Sequence, residues 1–600
     1  MKVKVSDVVR NFFEEKGVRH VFILSGGMMM HLLDSLSKSK TIRYICNHHE
    51  QASAIGAEAY ARETGQIGVC YATSGPGATN TITGIAGAWL DSSSVMVITG
   101  QSRKDLTVRG TGIPDLRMVG NFEVNIVDIA KPITKYSVFV AEPSQILFHL
   151  QKAYYLATSG RPGPVLLDIP LDVQGAMVEE SLLVQFTPPA AQKIELHDPI
   201  SQLVAHLKNS KRPLILAGHG IRVAQQTQAF KELAVRLGVP VVTTQLANDL
   251  LPYDHNLYVG HVGLRGDRAG NFAVQSCDLL LVIGSSLHIT TTGYDLKQFA
   301  PTAYKVMVDI DEAQLSRNHI GASLQIKSDV GSFITILSHQ LVDINASEKR
   351  DWASLCSRWK QSFPISKEPH PMQNDEINTY KLIDVLSDVL DGNETIITDA
   401  GSLYYIVGQA LRVKGNQRVI VSGGLGAMGY ALPAAIGAGV AAPSKRIICI
   451  TGDGSLQTNV QELATVAYHK LDCIIIVLNN NGYASIRNTQ TTFCDGNIAA
   501  SSESTGVSFP DWGKIAEAYG LVYSKESKLS KIREFLTSVL HTKAPILCEI
   551  VIPTTVHMLP AVTSEKLPNG SFRSNRLHEM SPPLSAERLQ KEGIIMDAIG

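Results

Sequence analysis

Two short polar segments in the last third of the chain combine residue types that could hold a divalent cation and a diphosphate. Residues 452–455 read GDGS and residues 479–482 read NNNG. The carboxylate of Asp453 and the amide oxygen of Asn480 are hard ligands that suit Mg²⁺, which also takes phosphate oxygens. Glycines allow the backbone to approach an anion, and the amides that open a helix can donate to phosphate oxygens. Either segment alone is better explained as an ordinary turn, so the interpretation depends on the pair.

The elements around these segments predict that they meet in space. Each segment follows an apolar, strand-like run, at residues 447–451 and 474–478, and a helical stretch lies between the two runs. In an open α/β sheet the loops at the carboxyl ends of the strands lie at one edge, which is where such sheets bind ligands. The sequence therefore predicts one binding site built from both loops.

Similar short β-rich runs alternate with helical stretches over most of the chain, which indicates parallel α/β sheets. The predicted strands cover residues 20–24, 68–72, 94–99, 165–169, 214–217, 279–283, 306–310, 447–451 and 474–478. Residues 186–199 are Pro-rich and residues 362–375 are polar, so both are interpreted as linkers. The predicted fold is α/β, with three doubly wound parallel-sheet domains at residues 1–185, 195–345 and 370–555 and an irregular tail at 556–600 that could cover a site.

The bulk composition argues against several classes of protein. Of the 600 residues, 44% are hydrophobic and 18% charged, with a formal net charge of -1, which is ordinary for a globular protein and gives no support for a nucleic-acid or anionic-membrane partner. The first residues lack a signal-peptide core, and the apolar runs are too short to span a membrane. The eight cysteines show no CxxC spacing and are interpreted as buried reduced thiols of a cytoplasmic protein.

Residues 422–430, SGGLGAMGY, contain a GxGxxG pattern that could indicate a dinucleotide site after the strand at 418–421. The acid expected to bind a ribose is poorly placed for that reading, since the next strand ends at Asp453. The segment instead closely resembles acetolactate synthase at the thiamine pyrimidine ring, and the Asp453–Asn480 pair matches the GDG…NN pattern of thiamine-diphosphate enzymes. The resemblance implies that Met428 supports the bent cofactor and that the Gly426 carbonyl accepts from its 4′-amino group. The alternative for Met428 is a core-filling side chain.

Residues 48–52, HHEQA, and 73–80, TSGPGATN, resemble the pyrimidine-binding domain of the same family. By this resemblance Glu50 is the catalytic residue, which hydrogen-bonds N1′ of the pyrimidine and takes part in the proton relay that activates the cofactor. Such a role suits a carboxyl group in an apolar pocket. The alternative is that Glu50 caps the helix that follows. The resemblance extends over nearly the whole chain and identifies the three domains as pyrimidine-binding, middle and diphosphate-binding.

The resemblance implies thiamine diphosphate and Mg²⁺ as cofactors. The implied cofactor contacts are Gly26, Gly27, Pro76, Asn80, Gly401, Ser402, Gly426, Met428, Gly452, Asp453, Gly454, Ser455, Asn480, Gly482 and Tyr483, of which Asp453, Asn480 and Gly482 are the implied metal ligands. In this family the catalytic glutamate and the metal segment meet across a subunit interface. A homodimer is therefore the expected minimum unit, and a homotetramer is common.

The chain departs from the acetolactate synthase pattern near the substrate. Thr489 stands where the family has a Trp that helps to select 2-oxobutyrate, Met28 follows Gly26-Gly27 in place of Ala, and the Gln-Glu and Gln-His pairs are replaced by Phe122-Glu123 and Ser402-Leu403. The residues expected to contact substrate are Met28, Phe122, Ser485 and Thr489.

The predicted function is decarboxylation of a 2-oxo acid, expected to be pyruvate, and carboligation of the two-carbon unit to a carbonyl acceptor. The alternatives are a biosynthetic acetolactate synthase and a simple 2-oxo-acid decarboxylase. A non-catalytic scaffold is disfavoured because Glu50, Asp453 and Asn480 are all present.

The flavin loop of the family, Arg-Phe-Asp-Asp-Arg, reads SLHIT at residues 286–290. Residues 260–263 and 309–311 remain compatible with a nucleotide, so the middle domain is expected either to bind FAD or to bind nothing. Residues 479–490 and 568–570 resemble acetolactate-synthase-like carboligases of sugar and polysaccharide pathways, some of which use a ketone or ketosugar as acceptor.

Overall fold

The computed structural model describes residues 1–190, 195–341, 349–543, 545–566 and 572–594. Three six-stranded sheets dominate it, and all their strand pairs are parallel. The predicted α/β class with three parallel-sheet domains is therefore confirmed. Residues 191–194 of the first predicted linker and residues 568–570 of the tail motif lie outside the described residues.

The first domain carries the Glu50 segment. Its strands are β1 (Lys2–Lys4), β2 (His20–Ile23), β3 (Arg43–Cys46), β4 (Gly68–Ala72), β5 (Val95–Gln101), β6 (Tyr136–Phe139), β7 (Val165–Pro170) and β8 (Met177–Glu179). Its helices are α1 (Val5–Glu15), α2 (Met30–Leu36), α3 (Glu50–Thr64), α4 (Pro76–Asn80), α5 (Ile82–Leu90), α6 (Val108–Thr111), α7 (Ile126–Ala130), α8 (Ile146–Thr158) and α9 (Leu171–Gly175). The sheet order is β3-β2-β4-β5-β7-β6, so the strand order reverses between β2 and β4.

The middle domain has the strand order of a dinucleotide-binding fold. Its strands are β9 (Pro213–Ala217), β10 (Val241–Thr243), β11 (Tyr258–His261), β12 (Leu279–Ile283), β13 (Tyr304–Asp309) and β14 (Leu324–Lys327). Its helices are α10 (His197–Asn209), α11 (Gly220–Val223), α12 (Thr227–Leu237), α13 (Arg268–Ser276), α14 (Ile289–Thr292), α15 (Glu312–Arg317), α16 (Val330–Gln340) and α17 (Arg350–Ser362). The sheet order is β11-β10-β9-β12-β13-β14, which corresponds to 3-2-1-4-5-6 and reverses between β9 and β12.

The third domain carries the metal motif and repeats the strand order of the first. Its strands are β15 (Thr395–Thr398), β16 (Arg418–Val421), β17 (Ile447–Gly452), β18 (Cys473–Asn479), β19 (Val522–Glu526) and β20 (Ile546–Val551). Its helices are α18 (Thr379–Val389), α19 (Ser402–Ala410), α20 (Ala431–Ala441), α21 (Asp453–Thr458), α22 (Leu463–Tyr468), α23 (Ala484–Phe493), α24 (Trp512–Ala518) and α25 (Ile532–Leu540). The sheet order β16-β15-β17-β18-β20-β19 reverses between β15 and β17.

Two glycine-containing helices join the first and third domains. Helix α3 packs against α20, and a Cβ at Gly437 would lie 2.1 Å from the Gly56 carbonyl oxygen, so the close approach requires glycine. The buried Tyr430 hydroxyl donates to Glu58 over 2.6 Å, and Arg62 donates to the Val421 carbonyl over 2.7 Å. The Glu50 segment is thereby fixed relative to the metal-motif domain.

The described part of the tail lies on the middle domain. It contains β21 (Ala561–Val562), β22 (Ser564–Lys566), β23 (Phe572–Ser574), β24 (Met580–Ser581) and α26 (Ala586–Lys591). The buried guanidinium of Arg268 pairs with Glu368 and donates to the carbonyls of Met580 and Pro582. Leu577 of the tail is buried among apolar side chains of the middle domain. This segment therefore covers the middle domain.

The prediction that the cysteines are buried is wrong for two of them. Six are buried, whereas Cys46 and Cys494 are exposed. Cys46 lies on the edge strand β3, and Cys494 directly follows α23, so neither is covered on both sides. No helix among the described residues is both long and apolar enough to cross a membrane.

Candidate active site

The structure brings the two polar segments of the third domain together. Strands β17 and β18 are adjacent, with Gly452 opposite Leu478, so both loops leave the same edge of the sheet. The Asp453 side chain is 1% exposed. Its Oδ1 accepts from the Gly454 amide over 2.7 Å, and its Oδ2 accepts from the amides of Asn480 and Gly482 over 3.1 and 3.2 Å. The Asp453 carboxylate therefore orders the 480–482 turn, which was predicted to bind the same Mg²⁺ ion.

The donor set of this turn fits a hard cation. Burial raises the pKa of Asp453, and the hydrogen bonds from the backbone amides oppose that change. No group of three or more His, Cys, Asp or Glu that could hold a metal occurs among the described residues. A cation here would have one carboxylate, the Asn480 amide oxygen and the Gly482 carbonyl. Mg²⁺ takes six oxygen ligands, so phosphate oxygens and water would have to complete the shell.

Close packing explains why glycine follows Asp453. A Cβ at Gly454 would lie 2.2 Å from the ring of Tyr483, which directly precedes α23. The ring thereby covers the start of α21. Ser455 is also buried in this turn, and Gly452 at the end of β17 is half-buried.

The neighbouring strand β15 contributes a second wall at the point where the strand order reverses. Gly401, with φ +75°, precedes α19, and a Cβ there would lie 3.2 Å from the Ser485 hydroxyl oxygen. Ser402 begins α19 and is half-buried. The buried Asp399 accepts from the Thr451 hydroxyl over 2.5 Å, and burial raises its pKa to about 6. The sequence prediction missed Asp399, and the strand β15 that precedes it was not among the predicted strands.

The segment at 422–430 lies open on one side. Gly426 has φ +64°, and the Met428 side chain is 41% exposed, so the alternative of a core-filling Met428 is wrong. Asp91 of the first domain accepts from the amides of Gly423 and Gly424 over 2.9 and 2.7 Å. This contact fixes the loop from the opposite domain.

Glu50 is the first residue of α3 and is 6% exposed. His49 is the N-cap and accepts from the Gln51 amide, so the alternative that Glu50 caps the helix is wrong. The Glu50 Oε2 atom accepts from the side-chain amide of Asn80 over 3.0 Å, and a Cβ at Gly77 would lie 3.2 Å from Glu50 Oε1.

The glycine turn at 26–27 and the turn at 73–77 meet at the strand-order reversal of the first domain. A Cβ at Gly26 would lie 2.4 Å from the Thr73 Cβ, which excludes a larger residue. Gly27 and Pro76 are exposed at this edge. The predicted residues of this domain therefore lie around one edge of its sheet, as those of the third domain do.

A buried carboxylate that the sequence prediction missed links the two halves. Glu462 accepts from the Asn47 side-chain amide and from the His48 backbone amide, both over 2.8 Å. Nearby, the side-chain amide nitrogen of Asn459 lies 3.3 Å from the side-chain oxygen of Gln51. These contacts join the segment before Glu50 to the segment after α21.

The contacts in the structure do not bring all four predicted substrate residues together. Ser485 lies beside Gly401, as described, and Thr489 is exposed on the same helix with its hydroxyl donating to the Ser485 carbonyl over 3.0 Å. Phe122 is 69% exposed with φ +56°, and its carbonyl oxygen would lie 2.6 Å from a Cβ at Gly75. Met28 is half-buried, and its carbonyl accepts from Gln174.

A cavity of about 330 Å³ lies between the middle domain and the other two domains, with Asp91 of the first domain and Tyr404 and Gly423 of the third in its lining. It lies where the strand order reverses, after β9 and β12, and Gly220 and Gly284 approach so closely there that a Cβ on Gly220 would lie 2.8 Å from the Gly284 Cα. Arg161, Thr244 and Asp309 also line it. The volume is in the range of cofactor sites.

Comparison with known proteins gives consistent matches along the chain. Residues 3–116 match the family model "Thiamine pyrophosphate enzyme, N-terminal TPP binding domain", residues 200–337 the central domain, and residues 399–550 the C-terminal TPP binding domain. The chain is 33% identical to acetolactate synthase 1, chloroplastic, of Nicotiana tabacum over 95% of this chain and 84% of that protein. It is 32% identical to acetolactate synthase large subunits of Lactococcus lactis, over 93% and 94%, and of Escherichia coli (isozyme 1), over 93% and 95%.

Proposed function

Because the chain belongs to the thiamine pyrophosphate (thiamine diphosphate) enzyme family, as a relative of acetolactate synthase large subunits, we propose that it decarboxylates a 2-oxo acid, pyruvate in the first instance, and ligates the two-carbon unit to a carbonyl acceptor. The observation that carries the proposal is the turn that Asp453 orders through the amides of Asn480 and Gly482.

Each half of the site has its own task in this proposal. Asp453, Asn480 and Gly482 would hold Mg²⁺, and the amide of Ser455, in the first turn of α21, would donate to the diphosphate. Thiamine diphosphate, when bound, supplies the electron sink for the carbon that loses CO₂.

In the half of the site that the first domain supplies, Glu50 exchanges a proton with the cofactor. Asn80 holds its Oε2 atom, which leaves Oε1 to share a proton with the cofactor ring. In the overall reaction the bond between the carboxylate and the oxo carbon breaks, CO₂ leaves, and the oxo carbon bonds to the acceptor carbonyl carbon. The acceptor oxygen takes up a proton.

Product analysis tests this function. The purified chain, incubated with pyruvate, thiamine diphosphate and Mg²⁺, is expected to accumulate a ligated hydroxyketone. Accumulation of acetaldehyde alone would instead favour the simple decarboxylase. Acetolactate as the only ligated product, with no ligation to any added ketone or aldehyde, would favour the biosynthetic acetolactate synthase.

A second copy of the chain is part of the proposed unit. Met428 is 41% exposed, Leu425 is 38% exposed and Phe122 is 69% exposed, although all three lie in segments that the resemblance places at the cofactor. Met428 and Leu425 lie in one segment, and exposed apolar side chains that lie together favour a protein interface. We propose a homodimer or homotetramer in which the site is completed by the partner subunit.

The middle-domain cavity supports binding of FAD. Ligands bind doubly wound sheets at the strand-order reversal, and an acid at the end of a later strand, here Asp309, suits the hydroxyls of a ribose. Gly220 and Gly284 pack against each other at the strand-order reversal, where a pyrophosphate is expected to meet backbone amides, and Arg161 supplies a positive charge. Ser286 and Thr290 replace the arginines of the flavin loop, so the charge is lower than in the family.

We expect the purified chain to carry FAD that is released on denaturation and is identified by its visible absorption. Asp309→Ala should weaken FAD binding by about 10–100-fold, because a hydrogen bond to a charged group contributes roughly 1.5–3 kcal/mol. Asp198→Ala is the matched control, since its side chain is 95% exposed at the start of α10. Flavin content that Asp309→Ala leaves unchanged would remove this residue from the site.

Acceptor choice gives a further prediction. Wild type should show little preference for 2-oxobutyrate over pyruvate, because Thr489 offers no aromatic wall for the extra methylene. Thr489→Trp should raise that preference by about 10–200-fold, the range for one methylene in a fitted pocket. Thr489→Ser is the control. Competition between the two acids measures the ratio, and a strong wild-type preference for 2-oxobutyrate would contradict the proposed acceptor pocket.

A further inference from the structure

The guanidinium of Arg487 lies over the turn that is proposed to hold the cation. Arg487 is in the first turn of α23, directly after that turn. Its Nη2 atom lies 2.9 Å from Asn480 Oδ1 and 3.1 Å from the Asn480 carbonyl oxygen. Its Nη1 atom donates to the carbonyls of Asn481 and Ser501 over 3.3 and 2.8 Å. Nε and Nη2 also donate to the Thr554 carbonyl over 3.1 and 2.6 Å.

The turn is shaped to receive this guanidinium. Gly482 has φ +146°, and a Cβ there would lie 2.1 Å from Arg487 Nη1 and 2.3 Å from the Ser501 carbonyl oxygen. The Tyr483 amide donates to the same Ser501 carbonyl over 3.0 Å. One side chain therefore connects three stretches of backbone that are distant in the sequence, at 480–481, 501 and 554.

The hydrogen bonds of Arg487 all run to oxygen atoms of carbonyl and amide groups. Among the described residues, no carboxylate lies within ion-pair distance of it. An amide oxygen has two lone pairs, so Asn480 Oδ1 can accept from Arg487 and still coordinate a cation. Because a guanidinium only donates, its position requires that the oxygen of the Asn480 amide, and not its nitrogen, face this side.

We propose that Arg487 is the positioning residue of the cation site: it fixes the amide orientation of Asn480 and the path of the 480–482 turn, and thereby sets the affinity for Mg²⁺ with thiamine diphosphate. The inference rests on the proposed function, because it concerns the cation of that site. Arg487 acts through Asn480 and has no part in the proton transfer assigned to Glu50.

Calorimetric titration of the cofactor-depleted full chain with Mg²⁺, at a fixed concentration of thiamine diphosphate, tests the proposal. Arg487→Met should raise the Mg²⁺ concentration at half-saturation by about 10–100-fold, the usual effect of removing a partner of a metal ligand. Arg487→Lys, which keeps the charge but loses the fork, should show a smaller rise. At saturating Mg²⁺ and cofactor, the turnover of both variants should return close to that of wild type.

Asn488→Ala is the matched control. The Asn488 side chain lies on the same helix and donates to the Val556 carbonyl, so it tethers the helix to the same part of the chain without touching the turn. Its Mg²⁺ midpoint should stay within about twofold of wild type. Circular dichroism checks that Arg487→Met is folded. The inference is overturned if the Mg²⁺ midpoint of the folded variant matches that of wild type, or if Asn488→Ala loses as much Mg²⁺ affinity as Arg487→Met. Wild type that shows no Mg²⁺-dependent cofactor binding would overturn the proposed function and this inference with it.

Discussion

Replacing Glu50 by glutamine is expected to lower turnover by about 10²–10⁴-fold while cofactor binding stays nearly unchanged. Glutamine has the same shape, so its side-chain oxygen can still accept from Asn80, as the Glu50 Oε2 atom does over 3.0 Å. What it cannot do is share and return a proton at the remaining position. Steady-state turnover with pyruvate, together with calorimetric titration of thiamine diphosphate, separates the two effects.

The control for this variant is Glu15→Gln, whose side chain is 72% exposed in the same domain. It should leave both turnover and affinity unchanged. Near-normal turnover of Glu50→Gln would remove Glu50 from the mechanism, and loss of cofactor affinity in place of turnover would make it a binding residue.

Replacing Asp453 by alanine should give the opposite pattern. Loss of a residue behind a metal ligand costs about 10–100-fold in metal affinity, so loss of the only carboxylate proposed for the shell should cost about 100-fold or more. The same substitution removes the acceptor for the amides of Asn480 and Gly482, which should loosen the turn. Thiamine diphosphate should then bind weakly and respond little to Mg²⁺.

Asp472→Ala serves as the control for Asp453→Ala. Its carboxylate is 42% exposed and pairs with Arg446 in the same domain, where an exposed ion pair contributes little to stability. Calorimetric titration of both variants with thiamine diphosphate in the presence of Mg²⁺ compares their cofactor affinities. An unchanged cofactor affinity of Asp453→Ala would place the cation elsewhere.

The strands and the edge of the metal-motif sheet could be predicted because their signals are local. Runs such as Ile474–Leu478 are apolar on both faces, and β18 indeed extends over Cys473–Asn479, one residue further at each end. The GDGS and NNNG turns follow directly from such runs. The order of the strands could not be predicted, since it depends on pairings such as that of β9 with β12, which are distant in the sequence.

The residues that the sequence prediction missed share one physical reason. Arg487, Glu462 and Asp399 look like ordinary polar residues of a helix or loop, and their importance arises only from partners far along the chain. Glu462, for example, accepts from the backbone of His48. The exposure of Cys46 was missed because an edge strand cannot be distinguished from a central one by its composition.

This chain is proposed to use thiamine diphosphate to join a two-carbon unit to a second carbonyl compound. The most direct test of this reaction is the ratio of CO₂ released to pyruvate consumed by the cofactor-depleted chain after thiamine diphosphate and Mg²⁺ are restored. With pyruvate as both donor and acceptor, ligation releases one CO₂ for every two pyruvates, and no CO₂ should appear before the cofactor is added. One CO₂ for each pyruvate, or release that does not depend on thiamine diphosphate, would contradict the account.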